Sequence, residues 1–401
     1  MATLDLWGMA HAGTWSNPVR LTHMRGQSWS PEIAAWGDNL YVVWFDTTED
    51  YGDTEIFFIK SPDNGLSWGP PLRLTNDSSN QQYPFVAARD DWVYLIWDDL
   101  GSGRVYFAKS NDYGEHFQSY PLTPPCQLSR GTDILVDRAG RVHVLWYDNR
   151  EGHTNLYYKR SDDHGETWTL DVCLTCAFGN VDNEQGKIRE EADGTLHVIY
   201  RSDLKGDPVG GMPPYDFFHL FSTDGGDTWS QPPLPVTPTL PTSYTNEYSG
   251  NFVVSGDVLL FSCYSELTQN QVIFMRGEAK GCLWHHPPTE ISHFSVNYEP
   301  SFTEHNYPAM ALTPSGQLHI VYMQSLRMID PSTILYGPFF HVVVKDGGKT
   351  VLPPSPVPGV EIGLNPKMVY NGGKLHLVYT DYHEDYSGPE IYYMYYTLEE
   401  R

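Results

Sequence analysis

The sequence predicts an all-β chain folded as a single seven-bladed β-propeller of four-stranded blades, its N-terminal strand completing the last blade; six blades is the alternative count. Three observations lead there. An eight-residue signature recurs four times, as Ser61-Pro-Asp-Asn-Gly-Leu-Ser-Trp68, Ser110-Asn-Asp-Tyr-Gly-Glu-His-Phe117, Ser161-Asp-Asp-His-Gly-Glu-Thr-Trp168 and Ser222-Thr-Asp-Gly-Gly-Asp-Thr-Trp229. Aromatic residues make up 14% of the 401 residues and are interleaved with 35 Gly and 30 Pro, the mix of many short strands and tight turns. Finally, Gly13-Thr-Trp-Ser-Asn-Pro-Val-Arg-Leu-Thr22 repeats Leu66-Ser-Trp-Gly-Pro-Pro-Leu-Arg-Leu-Thr75, so the N-terminus supplies the outer strand that the C-terminus lacks and leaves no open edge.

The signature reads as a hairpin turn. Its Ser and Asp side chains bond nearby backbone groups, Gly supplies the positive-φ corner, and the terminal aromatic is expected to pack the turn onto its own sheet. Four copies at regular spacing are a repeat signal. The blades then follow in order, at about 27–75, 76–123, 124–175, 176–241, 242–292, 293–360 and 361–401 plus 13–22, as one domain over 1–401. The first opens at Pro31-Glu-Ile-Ala-Ala, turns at Gly37-Asp-Asn, and runs Leu40-Tyr-Val-Val-Trp-Phe-Asp46, Thr54–Lys60 and Leu72–Thr75. Val93–Trp97, Val142–Asp148, Leu196–Tyr200, Val258–Ser262, Leu318–Tyr322 and Leu375–Tyr379 take the second-strand place in the other blades. The last three blades lack the full signature, although Gly281-Cys-Leu-Trp284 is a decayed copy.

Bulk properties exclude some classes. A net charge of −25 opposes nonspecific binding to nucleic acid or to an anionic membrane. No apolar run has membrane-spanning length, and no signal peptide precedes the fold. Five cysteines stand at 126, 173, 176, 263 and 282. The Cys173-Leu-Thr-Cys176 spacing has no second pair, which argues against zinc, and Cys126 facing that pair across one blade is the disulfide considered.

Repetition separates structural signals from chemical ones. His143, His197, His319 and His376 share one slot, held by Tyr41 and Tyr94 in other blades, so blade packing is expected of them. Asp46, Asp99, Asp148 and Asp381 share a slot after the second strand and are expected to fix the loops there. By contrast, Glu32, Asp133, Lys187 and Lys367 fall at the second residue of the inner strand, where Phe85 and Ala309 stand in other blades; charges of mixed sign at an axial position are unusual for packing.

The Ser-x-Asp-x-Gly-x-Thr-Trp signature is the Asp-box, and through it the chain resembles the sialidase superfamily over about residues 27–325. That resemblance implies a Tyr nucleophile activated by Glu, an Asp acid/base, and three Arg clamping a substrate carboxylate. Asn183-Glu184 opening an inner strand, with Arg201 after the second strand, looks like the family's activating Glu and one clamp Arg. Asn306-Tyr307-Pro-Ala-Met-Ala resembles the segment carrying the nucleophile, which maps it onto Tyr307. The acid/base maps onto the first blade's upper loop, at Asp50 or Asp53. The chain departs from the family elsewhere: Ser30-Pro-Glu32-Ile-Ala replaces the Arg-Ile-Pro motif, Gln269 and Gln271 stand where the third Arg should be, and Met323 replaces a Glu.

Further groups expected at the axis or top face are Glu32, Arg130, Asp133, Arg150, Lys187, Glu247, Tyr248, His305 and Lys367, with the 201–216 insertion overhanging them. The expected function is exo-acting, sialidase-like glycoside hydrolysis of a terminal sugar, acidic or neutral. Two alternatives stay open: a glycan-binding propeller using Tyr215, Tyr248 and Tyr298 as platforms, and a polysaccharide lyase using Tyr307 and His305. The partner is a carbohydrate, and an extracellular or periplasmic setting is favoured. No cofactor is implied, and the acidic 47–53 loop lacks the ligand spacing of a known calcium loop.

Overall fold

The computed structural model describes residues 13–23, 26–47, 52–179, 181–204, 215–237, 247–265, 271–278, 280–292, 308–323, 326–327, 334–335, 338–382 and 388–398. Within them the strands form seven antiparallel blades. The first three blades are Ser28–Trp36, Asn39–Thr47, Thr54–Ser61 and Leu72–Arg73; then Gln81–Arg89, Trp92–Asp99, Arg104–Ser110 and Gln118–Pro121; then Ser129–Val136, Val142–Asp148, Asn155–Ser161 and Val172–Cys173. Asn183–Glu190, Leu196–Ser202, Asp216–Ser222 and Leu234–Pro235 make the fourth. The fifth is Glu247–Ser255, Val258–Ser265, Gln271–Glu278 and Leu283–Trp284, and the sixth is Ala309–Leu312, Leu318–Met323, Phe339–Lys345 and Thr350–Val351. Gly363–Asn371, Lys374–Tyr382 and Pro389–Leu398 form the last.

As expected, the N-terminus closes the ring. Gly13–Trp15 and Val19–Arg20 both pair with Pro389–Leu398, and Glu390 is held by Arg20 and Thr22. A short hairpin, Leu326–Arg327 with Ile334–Leu335, stands apart from the blades and was not foreseen.

The core lies between blades rather than in one mass. Leu40, Trp44 and Phe57 of the first blade cluster with Val378, Ile391 and Tyr393 of the seventh, and Tyr94, Ile96 and Phe107 of the second cluster with Val142, Val144 and Trp146 of the third. Burying each such side chain contributes about 1.5–3 kcal/mol.

The signature turns are clasps in this packing. In each copy the Ser hydroxyl accepts the motif glycine's N–H, as Gly65 to Ser61 at 2.9 Å, and the Asp carboxylate accepts an N–H four residues on, as Ser67 to Asp63 at 2.8 Å. The residue before the glycine also has positive φ (Asn64 55°, Tyr113 60°, His164 58°), so the pair forms a tight turn of left-handed residues. Here one expectation is corrected. The terminal aromatic packs on the preceding blade, not on its own sheet: Phe117 on Phe58, Trp168 on Phe107, and Trp229 on Tyr158, all at about 5 Å between ring centres. The hairpin overhangs the neighbouring third strand, and its glycine is required there twice over, since a Cβ on Gly114 or Gly165 would press into the Phe58 or Phe107 ring. Ion pairs repeat the pattern between blades, with Lys60–Glu115, Lys109–Glu166 at 2.6 Å and Arg160–Asp227 at 2.9 Å.

The repeated histidines are buried and paired, His143 with Tyr158 at 2.8 Å, His197 with His219 at 3.0 Å and His376 with Tyr393 at 2.7 Å. The repeated aspartates fix loops; Asp99 accepts the N–H groups of Gly101 and Ser102. The disulfide differs from the one considered. It joins Cys173 to Cys176 within the CxxC, while Cys126 is a free thiol bonded to Asn149 Oδ1.

Candidate active site in the axial cavity

Each inner strand that is described in full carries a β-bulge near its start. Register shifts fall between Trp29 and Glu32, Gln82 and Phe85, Gly131 and Asp133, Glu184 and Lys187, Tyr248 and Asn251, and Leu364 and Lys367. Four bulges hold a non-glycine residue in the left-handed region: Ser30, Tyr83, Gln185 and Asn365, with φ of 50°, 51°, 53° and 50°. Each such residue costs roughly 1–2 kcal/mol relative to a relaxed backbone. Pro31, Pro84 and Pro366 follow three of them; the ladder is already broken there, so the missing N–H is tolerated.

Past these bulges the six strands share one register, and the described part of the sixth blade's inner strand keeps it. Glu32, Phe85, Asp133, Lys187, Asn251, Ala309 and Lys367 each pair with the matching second-strand residue, so the expected axial slot is real. The bulge residues with Glu32, Phe85, Lys187 and Lys367 of this ring line an axial cavity of about 380 Å³, and Asp133, Asn251 and Ala309 line a second of about 310 Å³ beside it. Glu32, Lys187 and Lys367 line both, so they form the constriction between them.

Among the described residues the charged groups of the upper cavity are Glu32, Asp98, Arg130, Lys187 and Lys367. Glu32 is ion-paired to Lys367. Lys187 donates to the Thr132 carbonyl at 2.9 Å and lies 4.4 Å above the Phe85 ring. Burial pulls its ammonium down to about 8, against the pull of Asp133 and Glu32. Asp98 is fully buried in the wall. Its Oδ1 accepts the Gly131 N–H at 2.7 Å, and its Oδ2 stands 3.5 Å from Arg130 Nε. Burial outweighs both partners and pushes this carboxyl up to about 8, so at neutral pH it is mostly uncharged. Among the described residues three cations then face one carboxylate, in a chain with 25 Lys and Arg against 50 Asp and Glu.

The structure places the residues expected from sequence as follows. Glu32, Arg130, Lys187 and Lys367 line the upper cavity, while Asp133 faces the lower one and is spent on the Ile188 N–H and on Arg189 at 2.6 Å. Arg150, expected at the axis or top face, is not among the residues lining either cavity; it binds Asp148 and, at 2.8 Å, Asp171, with its guanidinium 4.3 Å above Tyr157. Glu184 and Arg201 are cross-strand partners joined at 2.6 Å, and Arg201 lies 4.0 Å above the Tyr215 ring. They flank the cavity-lining Gln185. Asp53 precedes the third strand of the first blade. Tyr307, His305, Asp50, Tyr298, Gln269 and most of the 201–216 insertion lie outside the described residues, as do the side chains of Tyr248, Glu247 and Gln271. Among the described residues no group of three or more His, Cys, Asp or Glu could hold a metal.

Asp98, Gln185, Asn365 and Tyr83 also line the cavity and are not among the groups expected there from the sequence. A readable signal existed for Asp98 alone: a carboxylate following Trp97 where other blades carry Phe45, Tyr147 or Tyr264.

Seven blades, Asp-box clasps and a polar axial cavity define a sialidase-like β-propeller of the BNR superfamily. A family model described as a BNR repeat-like domain matches residues 37–320, and the chain belongs to that family. No curated protein sequence matches it significantly. Among solved structures, the polysaccharide lyase Uly1 superposes with a TM-score of 0.58 at 10% identity, covering 100% of this chain and 94% of that one. The Penicillium chrysogenum α-L-arabinanase, complexed with arabinobiose, gives 0.53 at 15% identity, covering 77% and 94%. The endosialidase of phage phi92 gives 0.53 at 11%, covering 98% and 70%. At these identities the likeness is one of fold, shared with glycoside hydrolases and a lyase.

Proposed function

We propose that this protein is a glycoside hydrolase whose active site is the upper axial cavity and whose substrate is a terminal sugar bearing an acidic group. One observation carries the reading: two carboxyls at one cavity are held in opposite states, Asp98 uncharged and Glu32 ion-paired to Lys367. Hydrolysis of a glycosidic bond needs such a pair. Asp98 delivers its proton to the departing glycosidic oxygen. Glu32 takes the proton of the water that adds to the anomeric carbon, so the bond is broken with inversion. Arg130, at the Asp98 carboxyl, and Lys187 bind the acidic group of the sugar; as Arg130 moves onto it, Asp98 opens to the cavity.

The sialidase resemblance offers another route to the same hydrolysis, with Tyr307 attacking, Glu184 activating it and Asp50 or Asp53 as acid/base. Its support here is Glu184 held beside Arg201, and it would proceed with retention through a covalent intermediate. A lyase reading has its own support, the depressed Lys187 amine as base beside Arg130 as neutraliser of a uronate.

The test is turnover of a panel of aryl glycosides and uronate polysaccharides by wild type, Asp98→Asn, Glu32→Gln and Tyr307→Phe. The expected result is a reducing sugar of inverted configuration, lost in the first two variants and kept in the third. Retention with loss in Tyr307→Phe would transfer the chemistry to the Tyr307–Glu184 pair. An ultraviolet-absorbing unsaturated product would establish the lyase, and no turnover by folded protein would leave a glycan-binding module.

A further inference from the structure

The four left-handed bulge residues have no obvious structural necessity. Glycine would take the same φ without strain, yet Ser30, Tyr83, Gln185 and Asn365 stand there. Asn alone among them favours this conformation, and Tyr is among the least suited. All four line the upper cavity. Two bear a second penalty, since Gln185 Oε1 and Asn365 Oδ1 are buried without a hydrogen-bond partner among the described residues. Tyr83 has a packing contact, its ring lying edge-on to Phe45 at 5.7 Å, which accounts for its ring but not for its backbone.

Strain and unmet polarity thus coincide at one register position, repeated around one cavity. Away from the axis the positive-φ residues lie in tight turns, as Asn64, Tyr113 and His164 do in the clasps. The bulge matters because it turns a strand residue, which would otherwise alternate into a blade interface, toward the axis.

We propose that Ser30, Tyr83, Gln185 and Asn365 form a specificity ring that reads the hydroxyl and amide pattern of the bound sugar, held in strained backbone to point there. This rests on the glycosidase reading of the cavity. The two amides accept from sugar hydroxyls through the oxygens that lack partners, and Tyr83 offers a flat face to the sugar ring. The charged groups of the neighbouring ring act on the bond and the acidic group, so the bulge residues decide which sugar is taken.

The test pairs stability with binding in Gln185→Gly and Asn365→Gly. The thermal melt is expected to rise by a few degrees in Gln185→Gly, because glycine relieves the left-handed strain, and to change little in Asn365→Gly, because Asn already accepts that conformation. Affinity for arabinobiose or 3′-sialyllactose, whichever the wild type binds by calorimetry, is expected to fall about tenfold per variant, the loss of one hydrogen bond. Loss of affinity in Gln185→Gly without a gain in melting temperature would mean that the backbone carries no strain and would overturn the proposal. Wild-type affinity and wild-type turnover in both variants would overturn it too, leaving the glycosidase reading intact. If the wild type binds neither probe and cleaves no glycoside, the cavity is not a saccharide site, and both readings fall.

Discussion

Trp68 of the first blade lies edge-on against Tyr393 of the seventh, ring centres 4.9 Å apart, and the Tyr393 hydroxyl fills the space where Gly65 has no side chain. A Cβ on Gly65 would stand 1.8 Å from that oxygen, with φ at 83° adding strain. The turn and its neighbour are therefore one unit, although they lie over three hundred residues apart.

Gly65→Ala should destabilise the fold by about 2–3 kcal/mol, from overpacking and backbone strain together. Tyr393→Phe removes the clashing oxygen and should recover part of that loss. Urea unfolding of the double-mutant cycle checks this; additive effects would mean that the turn does not lean on the seventh blade.

The same seam depends on the N-terminal strand. Trp15 contacts Tyr396 and His341, and Arg20 and Thr22 satisfy the buried Glu390. Deleting residues 1–22 exposes the edge of Pro389–Leu398 and leaves a buried carboxylate unpaired, so the truncated chain should melt well below the full chain and aggregate on heating. Calorimetry with light scattering would show it; an unchanged melt would mean that the ring does not need this closure.

The blade plan was legible because it repeats: a hydrophobic second strand, an Asp-box and a terminal match can each be checked against other copies. The site was legible only where it also repeated, as with Glu32, Lys187 and Lys367 at one slot. Asp98 shows why the rest was not. Its neighbour Asp99 belongs to the recurring loop-fixing slot and drew the attention, yet adjacent strand residues face opposite sides, so Asp98 alone reaches the cavity wall. Bulges are set by backbone register, which the sequence does not display, and they hid Gln185 and Asn365. Arg150 has a partner that the sequence does not display, Asp171, which reaches it from the outer edge of the same blade.

Asp98 makes a pH prediction of definite sign. Its folded-state value of about 8 lies above the ordinary 3.8, so the native state binds this proton more tightly than the unfolded chain. The stabilisation is complete below the unfolded value and is lost as pH rises through about 8. Asp98→Asn cannot ionise, so its melting temperature should gain on the wild type progressively as pH is raised over that range. If Asp98 is the proton donor, wild-type kcat/KM should also fall as pH passes about 8, and the variant should be nearly inactive. Melts and rates over one pH series test both; a constant stability difference would show that Asp98 is ionised throughout.

Glu32 and Lys367 separate stability from chemistry at the constriction. Each side chain is about one-fifth exposed, with 19% for Glu32 and 18% for Lys367, so removing either leaves its partner only partly hydrated. Lys367→Met should destabilise by about 2 kcal/mol, leaving Glu32 without its charged hydrogen bond. The Glu32 carboxylate remains in that variant, so turnover should persist. Glu32→Gln loses the base instead and should lower kcat by at least about a hundredfold at every pH, with substrate affinity little changed. If Lys367→Met abolished turnover at all pH values while Glu32→Gln retained it, the cation and not the carboxylate would be the group acting on the substrate, and the lyase chemistry of a basic cavity would take precedence.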